Sequence, residues 1–481
     1  MDTRKSTSLI APALLSALVA ASVAGCMIGP DYKRPAVTPA DKFRSQVGPS
    51  EATSIADLPW WQVFNDKTLQ QLITQALAGN YDLKVAVARI EEARALVGVA
   101  RSELYPQVQY QGIAAREKSF TPLEQARGNV TFNTFGQAIQ AAWELDVWGR
   151  IRRSTEAARA NLYGQEDIRR AVMLSLVSDV AADYFLLVGL DRQLAVAQES
   201  ANTYKQTVDL FTARFEAGKD TKLAVVRAQA AYDASAATVA SLNRAITQQE
   251  NALSVLLGGY PREIPRGTAL VEQTTPPITP VGLTTAILER RPDIQAAEQV
   301  VIGANAEVGV ALADFFPRIG LSALFGGGAP HAEDIFKSDF SVWNIAGGLT
   351  GPIFQGGRLR ATYHAREAFW DETIAQYQKS VLTAFRETSD ALAAQQTLVA
   401  QRAAEQDQTK ALREAVELAL DRYSGGRASY FEVLDAEQLL FPAEDALAQT
   451  QRDQLVAVVS LYKALGGGWS LNAEEWGRAR P

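Results

Sequence analysis

The sequence predicts a mainly α protein that contributes four strands to a β-barrel, built from one duplicated unit of a strand pair followed by a very long helix. The first observation behind this is an internal repeat, a pattern that decides the whole fold when it is present. Residues 214–259 align without a gap onto 422–467: Arg214 with Arg422, Gly218 with Gly426, Val225 with Val433, Ala228 with Ala436, Arg244 with Arg452, Leu253 with Leu461, and Leu257-Gly258 with Leu465-Gly466. Gly149-Arg150-Ile151-Arg152 falls on Gly357-Arg358-Leu359-Arg360 at the same offset of 208, and Tyr105-Pro106 meets Phe316-Pro317 at an offset of 211. The second observation is a change of hydrophobic period, from helical to alternating and back, inside each copy. The third is that residues 150–215 and 358–423 contain no proline, so each can run as one helix of about 100 Å at 1.5 Å per residue.

Arg4 and Lys5 precede an apolar segment from Leu9 to Val23 that ends in small residues, the pattern of an export signal over 1–25. A membrane-spanning helix needs about 20 apolar residues; this segment is shorter and is broken by Pro12. Val23-Ala24-Gly25-Cys26 holds the only cysteine and resembles the bacterial lipobox, with valine at the first place where leucine is usual. That resemblance implies cleavage before Cys26, lipid on its sulfur and an acyl chain on its nitrogen; Met27, in place of an aspartate, favours the outer membrane. The other reading is a small buried cysteine in an uncleaved helix. Each buried CH₂ of a lipid chain contributes roughly 0.8 kcal/mol to anchoring. With no second cysteine there can be no internal disulfide, so stability must come from packing or assembly. Residues 26–57, with Pro30, Pro35, Pro39 and Pro49, read as an extended tether.

The body divides into copies over 58–265 and 266–468, with a tail at 469–481. Leu83 to Leu104 and Ile294 to Phe315 are helical and Ala-rich, stopping at Pro106 and Pro317. Alternation follows. Ile319, Leu321, Ala323 and Phe325 point one way, as do Phe135, Ile139, Ala141, Trp143 and Leu145, while Val108 and Tyr110 begin a third strand and Phe340 to Leu349 supply a less regular fourth. After Gly149 and Gly357 come the long helices, apolar on more than one side: Leu174, Val177, Ala181, Tyr184 and Val188 keep a coiled-coil spacing, while Met173, Leu176, Val180 and Leu187 lie outside that seam. A helix needing partners on two flanks suits a ring. Shorter helices, about 221–257 and 429–465, return and close at Gly258-Gly259 and Gly466-Gly467-Gly468.

Composition narrows the classes of function. A formal charge of −7 argues against a nucleic-acid partner, and 47% hydrophobic residues permit a large core. With His331 and His364 as the only histidines and a single cysteine, neither a nucleophile–histidine pair nor a zinc cluster is expected, and no enzyme, metal or cofactor. Beyond the signal no 18-residue apolar run is found, so no α-helix is expected to cross a bilayer. Four strands of about ten residues are long enough to cross an outer membrane, but barrels start at about eight strands and a bilayer tolerates no open edge. Several chains must therefore share one barrel, unless the strands are two hairpins of a lipoprotein that lies outside the bilayer. Trp143, Trp148 and Trp343 near strand ends look like interfacial girdle residues.

The duplicated plan, the lipobox and the phrases Glu144-Leu145-Asp146-Val147-Trp148-Gly149-Arg150, Arg290-Arg291-Pro292-Asp293-Ile294 and Pro352-Ile353-Phe354-Gln355-Gly356-Gly357-Arg358-Leu359 resemble the outer membrane factors. These are the TolC-like family, and the match is to its NodT/OprM-type lipoproteins of RND efflux systems. The resemblance covers essentially the whole mature chain. It implies a homotrimer in which four strands from each chain close one twelve-stranded transmembrane barrel and twelve helices continue it as a periplasmic tunnel. An equatorial belt from segments near 58–78, 190–202, 398–410 and the C-terminus would wrap the tunnel. The family does no chemistry. It receives small solutes or drugs from an inner-membrane pump, of RND type, through a periplasmic adaptor. A protein-secretion outlet and a non-channel coiled-coil envelope lipoprotein are the alternatives.

The same resemblance puts a gate at the turn from the second long helix into its return helix. Glu432 and Asp435, three apart, share a helix face and match places where family channels carry acidic residues; Phe431 would be an apolar ring, and Tyr423 a tip tyrosine holding the closed state. Ser429-x-x-Glu432 is also a capping box, which would leave Glu432 tying down a helix start. The first copy has Ala224 and Arg227 at the matching positions, so the second helix pair is expected to be the one that moves. His331 and the 326–334 loop are expected at the outer mouth.

Overall fold

A computed structural model describes residues 27–38, 40–46, 54–118, 131–273 and 282–468. The signal, Cys26 and the tail at 469–481 lie outside the described residues, as does the segment 119–130.

The elements are α1 (Trp60–Val63), α2 (Lys67–Gly79), α3 (Tyr81–Ser102), β1 (Gln107–Lys118), β2 (Thr131–Leu145), α4 (Arg150–Glu216), α5 (Lys222–Leu256), α6 (Ile287–Arg290), α7 (Pro292–Ala313), β3 (Arg318–Ala329), β4 (Ser341–Thr350), α8 (Arg358–Ser424) and α9 (Tyr430–Ala464). The duplication is visible element by element. The long helices α4 and α8 are each 67 residues and begin 208 positions apart, at Arg150 and Arg358; the return helices α5 and α9 are each 35 residues at the same offset. Their ends are closed alike. The Lys219 amide donates to Arg214 O and the Arg427 amide to Arg422 O, both at 2.8 Å, around Gly218 and Gly426 at φ +66° and +68°. These are Schellman closures, and they place glycine where a left-handed backbone is needed.

The chain packs as two compact units, and each draws on both copies. One takes the chain up to Ala36, Ala88–Glu166 and Ala296–Tyr377; the other takes Val37–Val87, Asp167–Gln295 and the chain from Gln378.

The first unit holds an antiparallel sheet of order β1-β2-β3-β4. Its register brings the apolar alternation onto one face: Tyr110 pairs with Ile139, Ile139 with Phe325 and Phe325 with Trp343, while Trp143 pairs with Leu321 and Leu145 with Ile319. The opposite face carries Gln111, Gln140, Ser322 and Asn344, with Gln140 donating to Gln111 at 3.0 Å. β3 continues through Gly326 to Ala329, so the connection to β4 is 330–340 and not the expected 326–334 loop; His331 is exposed there, beside a 3-10 turn at Ala332–Asp334. Of the three tryptophans expected as girdle residues, Trp343 is exposed on the apolar face. Trp143 and Trp148 are half-buried and donate their indole N–H groups to Leu104 O at 2.9 Å and Pro317 O at 2.7 Å, and Trp148 stacks on Phe316 at 4.9 Å. They brace the base of the sheet.

Below β2, Asp146 accepts hydrogen bonds from the Ile151 and Arg152 amides at 3.0 Å, starting α4, and Arg150 grips Glu144 with two contacts of 3.0 and 3.1 Å. Part of the segment expected as an extended tether is seated here. The Ile28 amide donates to Trp148 O at 3.1 Å, and Arg34 and Tyr32 both bind Glu298. Arg153, fully buried, pairs with Asp31 and Glu156 at 3.0 and 2.8 Å.

In the second unit Asp66 starts α2. One of its oxygens accepts the Thr68 and Leu69 amides, and the other accepts the Tyr184 hydroxyl, the Thr268 amide and the Gln273 side chain at 2.9–3.1 Å. Burial alone would push its carboxyl up; these bonds, from Leu69 and Gln273 foremost, outweigh it and hold the carboxyl below the usual range. Arg291 is likewise buried and bound to Asp293, Glu387 (2.8 Å) and Ala464 O (3.0 Å). One stretch of α4 is apolar enough to cross a membrane by length and composition, against the expectation from sequence, but 61% of it is buried inside the protein, so it is core.

Candidate gate at the α8–α9 turn

The first turns of α9 are split between two faces. Tyr430, Val433 and Leu434 join Tyr204, Val208, Phe211, Ala228 and Ala419 in one apolar cluster. Tyr430 is edge-on to Phe211 at 4.7 Å and to Tyr423 at 5.1 Å, and its hydroxyl lies 2.6 Å from that of Thr207. Burial of this stripe forces the positions between its members outward, and those are Phe431, Glu432 and Asp435, all exposed. Phe431, Glu432 and Asp435 thus share one exposed face, as the sequence grouping expects, while Tyr423 is half-buried.

The capping box is not formed. Ser429 stands at the helix start with φ −80° and ψ 153° but makes no side-chain cap bond. Glu432 instead lies 3.5 Å from Arg422 across the turn. Both side chains are well exposed, so the pair is worth about 0–1 kcal/mol.

Three contacts that sequence reasoning missed tie this turn to the first copy's turn. Arg214, at the end of α4, donates to the Tyr423 hydroxyl at 2.7 Å, and its guanidinium sits 5.6 Å from the Tyr423 ring centroid. It also pairs with Asp220 at 3.4 Å. Arg227, which replaces the second acid in the first copy, lies over the Phe431 ring at 5.5 Å, a cation–π arrangement. Sequence reasoning also missed Glu437. It is 3% exposed, and one carboxylate oxygen has no hydrogen-bond partner. Burial pushes it up to about 7. Its position three after Leu434 on the apolar stripe was the available signal.

What this arrangement can do is electrostatic and mechanical: it presents two carboxylates and an aromatic ring on one face, held by hydrogen bonds that can break. Among the described residues no group of His, Cys, Asp and Glu is gathered that could hold a metal ion.

The chain matches the family model described as outer membrane efflux protein twice, over residues 72–259 and 283–467. It is 32% identical to the cation efflux system protein CusC of Escherichia coli O6:H1 over 459 residues, 95% of this chain and 98% of the relative. It is 34% identical to the solvent efflux pump outer membrane protein SrpC of Pseudomonas putida over 454 residues, 93% and 96% of the two chains. Among solved structures, the outer-membrane channel OprN superposes with a TM-score of 0.83 at 32% identity, covering 93% of this chain and all of that one. The open state of the Neisseria gonorrhoeae MtrE outer membrane channel gives the same TM-score and identity, covering 92% and 99%. With both copies matched and near-complete overlap at these identities, the chain belongs to the outer membrane efflux protein family, as the outer membrane channel of an efflux system.

Proposed function

We propose that three copies of this chain form one passive conduit, anchored by lipid on Cys26 in the outer membrane and extending into the periplasm. The observation that carries this reading is the four-stranded sheet with one aromatic-rich apolar face, one face that is more polar, and edge strands β1 and β4 that have no strand partner on their outer sides among the described residues. Such a sheet is a fragment: in lipid every backbone group must find a partner, and closure with copies supplies them. The apolar row Tyr110, Ile139, Phe325, Trp343 faces lipid, and the row with Gln111, Gln140, Ser322 and Asn344 faces the lumen.

A periplasmic adaptor and an inner-membrane pump of RND type deliver the cargo, and the channel performs no chemistry. The relatives' names, a cation efflux protein and a solvent efflux protein, support small solutes as cargo, with selection made by the pump. At the α8–α9 turn, threefold symmetry repeats Glu432 and Asp435 as six carboxylates around one axis, with Phe431 as an apolar ring. The Arg214–Tyr423 bond on α8 and the Arg227–Phe431 contact on α9 hold the α8–α9 turn against the first copy's helices; breaking them frees the turn to move outward.

The test is the native mass of the mature protein extracted from outer membranes in mild detergent. Three chains per particle is the expected result; a stable single-chain particle would refute the shared barrel.

A further inference from the structure

Two residues past Asp435, Glu437 lies on the buried stripe of α9 with Tyr430, Val433 and Leu434, and one of its carboxyl oxygens is buried without a hydrogen-bond partner. A carboxylate in such a place is far costlier than a carboxylic acid, because ionisation leaves a charge that neither water nor a partner answers. The cations on the surrounding elements are engaged elsewhere. Arg214 of α4 binds Tyr423 and Asp220, Arg413 and Arg422 of α8 pair with Glu444 and Glu432, and Arg227 of α5 lies over Phe431. Tyrosines surround the carboxyl instead. Tyr204 of α4 and Tyr430 of α9 are coupled to it, and burial pushes both hydroxyls up, so neither titrates near neutrality. Tyr423 of α8 and Tyr232 of α5 pack against the same cluster.

Five residues further on, Pro442 stands inside α9. Having no N–H, proline leaves Gln438 O without its intrahelical bond and weakens the helix at that turn. Gln438, Phe441 and Pro442 also line a cavity of roughly 370 Å³, with Tyr204, Ala231 and Ala234 on its other walls, so the weakened turn has open space beside it. The first copy has neither feature: Gln229 stands at the place of Glu437 and Ala234 at that of Pro442. Gln229 is exposed and donates to Asp233 at 2.9 Å. The buried acid and the weak turn therefore occur together, in the helix pair whose turn carries Glu432 and Asp435.

We propose that Glu437 is a proton-operated latch on the α8–α9 turn: protonated, it keeps residues 430–441 seated in the apolar cluster, and on losing its proton it draws them about Pro442 towards water, carrying Phe431, Glu432 and Asp435 out of the closed position. The proposal rests on the gate reading and names its regulation. The proton passes to bulk water and returns from it. The sign follows from which state holds the proton. Burial raises the carboxyl to about 7 in the seated state, against 4.5 for a hydrated glutamate. The seated state's advantage is thus complete below the hydrated value and is lost as pH rises through about 7. Acid holds the turn closed, and a neutral to alkaline medium releases it.

The experiment is amide hydrogen exchange on the full-length protein in mild detergent, corrected for the chemical effect of pH, over residues 431–441, with 223–233 of α5 as the internal control. In the wild type, protection over 431–441 is expected to fall about twentyfold from pH 5.5 to 7.5 while the control stays level. Glu437→Gln, which keeps the shape and holds no titratable proton, is expected to stay protected at both. No fall in the wild type, or an equal fall in Glu437→Gln, overturns the latch. Pro442→Ala, which gives Gln438 O its partner back, is expected to restore several-fold protection at pH 7.5; wild-type exchange in that variant overturns the hinge. Planar-bilayer recordings read the gate separately. The open fraction is expected to rise with pH in the wild type and to stay low in Glu437→Gln. A proton-linked loosening of 431–441 with no change in open fraction leaves the swing standing and overturns the gate at this turn.

Discussion

On α9, Tyr430, Val433, Leu434 and Glu437 fall on one buried stripe, and three of the four are apolar or aromatic. Glu437 is the exception, with Tyr204 and Tyr430 as the ionisable groups coupled to it. Because burial raises its folded pKa from 4.5 to about 7, the folded state binds the proton more tightly than the unfolded chain. The stability this contributes is complete below the unfolded value and is lost as pH rises through about 7. Glu437→Gln, which keeps the shape and cannot ionise, should therefore be more stable than the wild type at pH 8, by about 3 kcal/mol, and equal to it near pH 4. Thermal unfolding at both pH values checks this; an equal difference at the two would discard the titration account. The stripe is legible in the sequence by its 3–4 spacing. That Glu437 lacks a partner for one oxygen is not, because only packing decides which polar atoms come within reach.

At the scale of elements, the two helix pairs share length, offset and caps, yet their first return turns differ in charge. The α5 turn carries Ala224 and Arg227 where α9 carries Glu432 and Asp435. Like charges converging on an axis resist approach and attract cations, on the order of 1 kcal/mol per close pair even in water-like surroundings. Glu432→Ala with Asp435→Ala should accordingly raise single-channel conductance in a planar bilayer and lower cation-over-anion preference roughly fivefold. Unchanged conductance and selectivity would leave both residues as ordinary surface carboxylates. Element identity was readable because proline-free runs and glycine stops act locally. Strand ends were not. β3 runs on to Ala329 with Gly326 to Gly328 in its ladder, and β4 stops at Thr350, since a ladder ends where its neighbour does, and neighbours are set by the sheet as a whole.

At the scale of the whole molecule, the lipid and the barrel proposed above would be two separate attachments to the membrane. If Cys26 carries the lipid, Cys26→Ser should abolish incorporation of labelled palmitate while the extracted particle still contains three chains. Dissociation of that variant into single chains would mean that the anchor, and not the strands, holds the assembly together. The period changes, the proline-free helices and the acids of the α8–α9 turn were determined by the sequence alone, because each rests on spacings or dihedral preferences a few residues apart, and the repeat because it is the chain aligned with itself at offsets of 208 and 211. Tertiary structure alone decided that Glu432 pairs with Arg422 and makes no capping box with Ser429, that Arg214 and Arg227 reach across to Tyr423 and Phe431, that Tyr32 and Arg34 in the extended leading segment bind Glu298, and that Ile353 and Phe354 are left bare. These depend on which distant segments meet, and that is set by burial of the whole apolar surface and not by any local pattern.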